Sequence, residues 1–347
     1  MKKLKLLLAV IITSVISVTG YSQEGTPVDY MNKISLKYRT IQQDMWDYTS
    51  AVAHGKSAKK VESRRAELIQ TTYTALNEVK RMPAYDGDAT YRDSVVSFLN
   101  IYYLILKEDY AKIVDMEEIS ERSYDNMEAY MMAKDMANEK MNSAAAMVAE
   151  QQRVFATKHN ITLQEADDEL SNNMTKANAV YNYYNVIYLI FFKSFVQEKY
   201  LIEAINNKDV SAIEQNKNAL ASAANDGLEK LKSESHFNGD NTVVMACIEI
   251  LTFYKDEAEN KISLITDYFI KTENFNTIKT SFDQIKPNNR SQVDIDSYNN
   301  AVNEMNASVG VYNTTNTELS TNRAKYLDSW NNSTAKFTDK HVPTGKK

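Results

Sequence analysis

Four histidines, His54, His159, His236 and His341, are the first residues to test for chemistry, because metal-binding histidines on helices keep fixed spacings to their carboxylate partners. None has an acidic residue three positions before it or a glutamate three after, so the Glu-x-x-His arrangement of di-iron bundles is absent. His159 and His341 each follow Phe-x-x-Lys, where a helix would end and a cation would offset its macrodipole.

Lys56, Lys59, Lys60, Arg64 and Arg65 form a basic cluster, with Lys56, Lys60 and Arg64 on one helical face. The cluster is a candidate patch for an anionic ligand, a lipid head group or an acidic partner. Glu62 and Glu67 stand at pairing distance and offer the plainer reading of a solvated face.

Seven of the 14 methionines fall between Met116 and Met147. Thioethers bind Cu(I), but Met127, Met131 and Met141 fit the apolar face of a helix, which makes core filling the default. Asp86, Asp88 and Asp240 sit in glycine turns without the twelve-residue calcium loop. The phrase His54-Gly55-Lys56-Ser57 lacks the first glycine of a phosphate-binding loop, with Ser50 standing there. The lone Cys247 aligns with an apolar helix position, Val95, and reads as a small buried hydrophobe. No nucleophile elbow, paired-carboxylate motif or glycine-rich cradle assigns a catalytic, cofactor or metal residue, and a site that the fold alone assembles leaves no linear trace.

The elements that would position these groups are helices. From Asp88 to Asp226 the chain has neither glycine nor proline, which long helices with short connections explain. Met31, Ile34, Tyr38, Ile41, Met45 and Tyr48 are spaced by three and four in a first helix. Val180 to Val196 is apolar on nearly every side and predicts a central helix. Val302, Met305, Val309, Tyr312, Asn316, Leu319, Arg323, Tyr326, Trp330, Ser333 and Phe337 form a narrow seam with polar breaks.

The chain also resembles itself. Shifted by 152 residues, Ala51–Met116 lies on Glu203–Tyr268 without a gap, and the turn Tyr85-Asp-Gly-Asp-Ala-Thr90 meets Phe237-Asn-Gly-Asp-Asn-Thr242. Gly55 and Ser57, read as helix closer and cap, are matched by Asn207 and Asp209. Asp88 or Thr90, and Asp240 or Thr242, are the candidate caps of the third helices, with Thr90 and Asp93 spaced as a capping box. After an added loop at about 271–290, Phe155-Ala-Thr-Lys-His159 answers to Phe337-Thr-Asp-Lys-His341.

Lys2, Lys3 and Lys5 ahead of an apolar run, with Gly20 and Ser22 at the cleavage point, read as a secretory signal peptide over 1–22. No cysteine stands there to make a lipoprotein. Loss of the three lysines takes the 40 basic residues to 37 against 46 acidic, a mature charge of about −9, which speaks against nucleic acid. One cysteine leaves no internal disulfide, so burial alone holds the fold.

The stretch Ala51–Arg65, with Gly87-Asp88, Arg92-Asp-Ser94 and Ser123–Tyr130, resembles an exported surface-protein family of leptospiral type that also occurs in Bacteroidetes. The resemblance implies an envelope or surface location and carries no catalytic residue with it. The expected architecture is all-α: two tandem, sequence-related, up-and-down four-helix units, 23–160 and 161–342, with a tail at 343–347. The expected role is non-catalytic interaction or ligand binding in the periplasm or at the outer surface, with an unknown envelope partner, no cofactor and no membrane span after signal cleavage. The alternatives are a binder of a hydrophobic small molecule or metal, and an enzyme whose site is assembled between helices.

Overall fold

A computed structural model describes residues 25–54, 56–109, 119–163 and 169–344. Residues 1–22, read above as a signal peptide, and Gly55, Met116 and residues 345–347 lie outside the described residues. The described chain is all-α, with helices α1 (Pro27–Ala53), α2 (Ala58–Lys80), α3 (Thr90–Leu104), α4 (Tyr124–Lys158), α5 (Glu169–Asn207), α6 (Val210–Leu231), α7 (Thr242–Asp256), α8 (Ile262–Gln284) and α9 (Gln292–His341). The only β pairing among the described residues is two isolated bridges, Tyr85 with Asp88 and Phe237 with Asp240.

Local chemistry starts and stops these helices. Thr26 and Asp29 close a capping box on α1, with Pro27 at its first position. Ser57 and Asp209 cap α2 and α6 as their side chains suggested, accepting from Lys60 N at 3.4 Å and Ala212 N at 3.0 Å. The left-handed residue before α6 is Lys208 (φ 56°), not Asn207, which is still helical. In the paired tight turns Asp86 and Gly87 (φ 49° and 76°) match Asn238 and Gly239 (φ 50° and 81°). Two successive positive φ values explain why glycine stands second in each.

The N-caps of the third helices are Ala89 and Asn241, which make no side-chain cap bond, and the acids one position earlier serve the first helical amide instead. Asp88 Oδ1 accepts from Thr90 N, and Asp240 Oδ1 from Thr242 N, both at 2.9 Å. The Thr90–Asp93 capping box does not form, because Thr90 is already the first helical residue, one past the N-cap Ala89, and Asp93 pairs with Arg92 at 2.8 Å. Asp240→Ala is expected to cost about 0.5–2 kcal/mol, read as a lower denaturation midpoint, with Asp240→Asn restoring most of it.

The chain forms two compact units, one made of residues up to 184 with 336 onward and the other of residues 185–335. In unit one, Met31, Ile34, Ile41 and Met45 of α1 are fully buried, as their spacing predicts. On α4, Met127, Met131 and Met141 are buried, whereas Met132, Met136 and Met147 are exposed. In unit two, Ile187, Tyr188, Phe191 and Phe192 of α5 are buried, and Tyr188 stacks on Phe192 with centroids 5.6 Å apart. No helix among the described residues is long and apolar enough to cross a membrane. Leu68 of α2 and Leu220 of α6, 152 residues apart, are both at 0 % exposure.

Two features repeat at that interval. Helix α3 runs into a π turn, π1 (Ile105–Asp109), and α7 into another, π2 (Glu257–Lys261). A π turn holds one residue more than an α turn and re-aims every side chain after it.

The expected added loop at 271–290 is mostly helix. Helix α8 continues to Gln284, a 3₁₀ turn spans Pro287–Asn289, and a Ser291–Asp294 capping pair starts α9. Pairs one turn apart, Lys271 with Asp267 and Lys279 with Asp283, bind this Thr/Asn-rich stretch along its own length. Phe282 stacks on Tyr298 at 4.6 Å, and Arg290 lies 4.1 Å over the Phe282 ring. No residue from 271 to 300 is buried, so this hairpin is a solvated arm rather than core.

Candidate functional site

The residues singled out by type are mostly consumed by the scaffold. Lys56, Lys59 and Lys60 are exposed at the start of α2. Arg64 is held by Glu67 at 2.7 Å and Asp47 at 3.4 Å. Arg65 is held by Glu62 at 3.0 Å and donates to the Leu106 carbonyl of π1 at 3.3 Å. Only the three lysines of the patch therefore present charge to solvent without a recorded acidic partner.

Three of the four histidines pack, while His236 is exposed in the turn before α7. His159 lies against Phe155 (4.4 Å) and Tyr85 (5.0 Å), and His341 lies 4.8 Å from Phe337. His54 sits between Asp339 (3.2 Å) and the Pro343 carbonyl (3.3 Å). Among the described residues no three His, Cys, Asp or Glu side chains are grouped to hold a metal ion. Cys247 is fully buried, and burial pushes its thiol pKa up, so it is held as the unreactive thiol.

Asp88 receives the Lys158 ammonium at 2.6 Å. That contact first, and the Thr90 amide second, hold its carboxyl well below the usual range. A depressed acid stabilises the fold above the ordinary carboxylate pKa of 3.8 and loses that contribution as pH falls below it.

Among the described residues, the concentration of buried charge lies in unit two and had not been anticipated. Glu198 of α5 is 5 % exposed, Glu257 at the head of π2 is 0 % exposed, and Arg323 of α9 reaches both. Arg323 Nε stands 3.1 Å from Glu257 Oε1 and 3.2 Å from Glu198 Oε1, and its Nη2 also donates to Glu257 Oε1. The Tyr254 hydroxyl faces Glu198 and pulls its carboxyl down against the effect of burial. The geometry is lopsided. Arg323 makes two hydrogen bonds to Glu257, while Glu198 Oε1 lies at ion-pair distance without the alignment of a hydrogen bond, and Glu257 Oε2 receives none.

Electrostatics follow from the count of charges. Two buried carboxylates share one guanidinium, so full ionisation leaves a net negative charge away from water. Burial first, and the Glu257 charge second, push Glu198 up to about 7 against the opposing pull of Arg323 and Tyr254. Burial raises Glu257 as well, opposed by Arg323. One proton thus belongs to the pair around neutral pH. The site can hold and release a proton, and both of its carboxyls are shut away from water.

A sequence signal for this cluster existed. The 152-residue shift puts Glu198 on Trp46, Glu257 on Ile105 and Tyr254 on Tyr102, while the 182-residue offset of Phe155 and Phe337 puts Arg323 on Met141. Trp46, Ile105 and Met141 are all buried in unit one, at 3 %, 2 % and 0 % exposure. Charged residues of unit two thus align in sequence with buried apolar residues of unit one.

Two open grooves flank α8. One, of about 710 Å³, is lined by Lys208, Val210, Tyr268, Phe269, Thr272 and Asn276 among others. The second, of about 420 Å³, lies along α8 and α9 and includes Asn274, Ile278, Asn300 and Glu304. Comparison with protein-family models, with characterised proteins and with solved structures yields no match.

Proposed function

We propose that this chain is an exported helical-bundle protein of the cell envelope with a non-catalytic role in interaction or ligand binding, built from two modules related by duplication. The observation that carries the binding role is the α8–α9 arm. It interrupts the internal sequence correspondence, contributes no buried residue between 271 and 300, and is flanked by the grooves along α8. Core elements need no such arm, and a helical hairpin without core residues serves the fold little.

The chemistry of the arm fits recognition better than catalysis. Thr272, Thr277, Thr280 and Ser281 each donate their hydroxyl to a carbonyl one turn back, which leaves their oxygens outward as acceptors. The basic patch at Lys56, Lys59 and Lys60 is a separate surface suited to an acidic partner. The duplication is supported by the π turns, the glycine turns with their bridges and the acids after those glycines, all repeated at 152 residues. Export and the surface location rest on the lysine-led apolar leader and the family resemblance.

A photo-crosslinkable residue at Asn276 of the protein expressed in its envelope is expected to capture a discrete envelope component, and one at Lys59 is expected to capture less. Only nonspecific background at both positions would overturn the interaction reading. Export is tested separately by the mature N-terminus, which is expected at Gln23 by mass spectrometry of the envelope fraction.

A further inference from the structure

We propose that Glu198, Glu257 and Arg323 form a proton-operated latch, in which one proton held between the two buried carboxyls locks α5, π2 and α9 together inside unit two and its loss loosens that contact. The argument rests on geometry. Both carboxyls are shut away from water at 5 % and 0 % exposure, and a single guanidinium lies between them. With one acid neutral the charges balance. With both ionised, one carboxylate is left buried without a full partner, and such a charge is expensive to keep in place.

The groups that face the pair are few. Helix α5 contributes Glu198, α7 contributes Tyr254, π2 contributes Glu257 and α9 contributes Arg323. The neighbouring charges pair with one another, Lys261 with Glu318 at 3.0 Å and Lys255 with Glu259 at 4.0 Å, and α6 offers Glu259 the neutral Asn225 at 3.2 Å. Among the described residues, Arg323 is thus the cation that meets both carboxyls. Of the two acids, Glu198 is the carrier, because Arg323 commits its hydrogen bonds to Glu257.

The fold does not require this arrangement, since Trp46, Ile105 and Met141, which align with these residues in sequence, are buried in unit one without charge. The π turn adds a place to yield. Glu257 is the first residue of π2, where the helix carries one residue more than an α turn and can change register.

The sign of the pH effect is fixed. Glu198 is raised from 4.5 to about 7, so the folded unit binds the proton more tightly than the unfolded chain does. Its stabilisation is complete below about pH 4.5 and is lost as pH rises through about 7. Hydrogen exchange at Tyr254–Ile262, corrected for intrinsic rates, is expected to show roughly tenfold or more greater opening at pH 8 than at pH 5. The π1 region of unit one, which lacks the charges, is expected to stay level, and Glu198→Gln is expected to flatten the dependence in unit two. Should Glu198→Gln fail to fold, the wild-type protein labelled with ¹³C-glutamate gives an independent reading by infrared spectroscopy. A protonated carboxyl band present at pH 6 and gone by pH 9 supports the latch. Opening that is level from pH 5 to 8, or no protonated carboxyl at pH 6, overturns it.

Discussion

Arg323→Met is expected to destabilise unit two by about 3–5 kcal/mol, one of the two largest losses from a single substitution anticipated for this protein. The loss comes less from the ion pair than from what its removal strands. Glu198 and Glu257 stay buried, at 5 % and 0 % exposure, and lose the cation that they share. Protonating both would relieve the repulsion, so the variant should recover part of its stability at pH 5. The change in shape is small, since methionine keeps most of the unbranched stem of arginine.

Replacing all three charges gives the opposite result. Glu198→Leu, Glu257→Ile and Arg323→Met combined is expected to be neutral or up to about 4 kcal/mol more stable than wild type, because nothing charged remains to desolvate. The two tryptophans make the measurement unit-specific. Trp46 lies in unit one and Trp330 in unit two, so Trp330 fluorescence in a Trp46→Phe background follows unit two in urea. A cost below about 1 kcal/mol for the single variant would show that the carboxyls reach water when Arg323 is gone.

Why this cluster escaped the sequence is a matter of what a single helix can reveal. Glu198, Glu257 and Arg323 lie on three helices and are 59 and 66 residues apart in the chain. No linear motif joins them. Periodicity put Arg323 on the expected seam of α9 as a polar break, though that seam is buried only at Leu319, Trp330 and Phe337 and gives way to Ala301, Ser308 and Thr315 nearer the helix start. The 152-residue shift set both glutamates against apolar residues. Each hint was ambiguous alone, since a polar residue facing a core can reach the surface with its long side chain. What the sequence lacks is knowledge that three such residues converge.

Helix content, by contrast, was legible because its causes are local. The Met31–Tyr48 stripe, the caps at Ser57 and Asp209 and the glycine turns act within a few residues of themselves. The 271–290 segment misled for the same local reason. Its threonines and asparagines have weak helix preference, and Pro287 suggested a loop throughout. Ion pairs one turn apart and the Phe282–Tyr298 stack were enough to carry α8 on to Gln284. The basic patch was visible as composition, but the pairing of Arg64 and Arg65 with acids left its charge to the three lysines.

Trp330→Ala is expected to cost about 3–5 kcal/mol and to release the middle of α9 within unit two. Trp330 is 2 % exposed and stacks on Phe191, itself at 0 %, with centroids 4.4 Å apart and planes 23° apart. The rest of the α9 seam explains why so much depends on it. Toward the N-terminus the buried positions are Ala301, Ser308 and Thr315, which bring little apolar area, and Leu319 is the next sizeable anchor. Tyr326 adds a stack on Phe253 at 5.0 Å but is only half-buried. Trp330→Phe keeps a ring against Phe191 and is expected to recover more than half of the loss. Tyr298→Ala on the exposed arm removes an aromatic partner of Phe275 and Phe282 without opening any core, so it is expected to cost less than about 1.5 kcal/mol. Urea denaturation followed by helical circular dichroism gives the three costs, and hydrogen exchange along α9 shows where protection is lost. If Tyr298→Ala cost as much as Trp330→Ala, the arm would be part of the core, and its assignment as a binding surface would fall with that result.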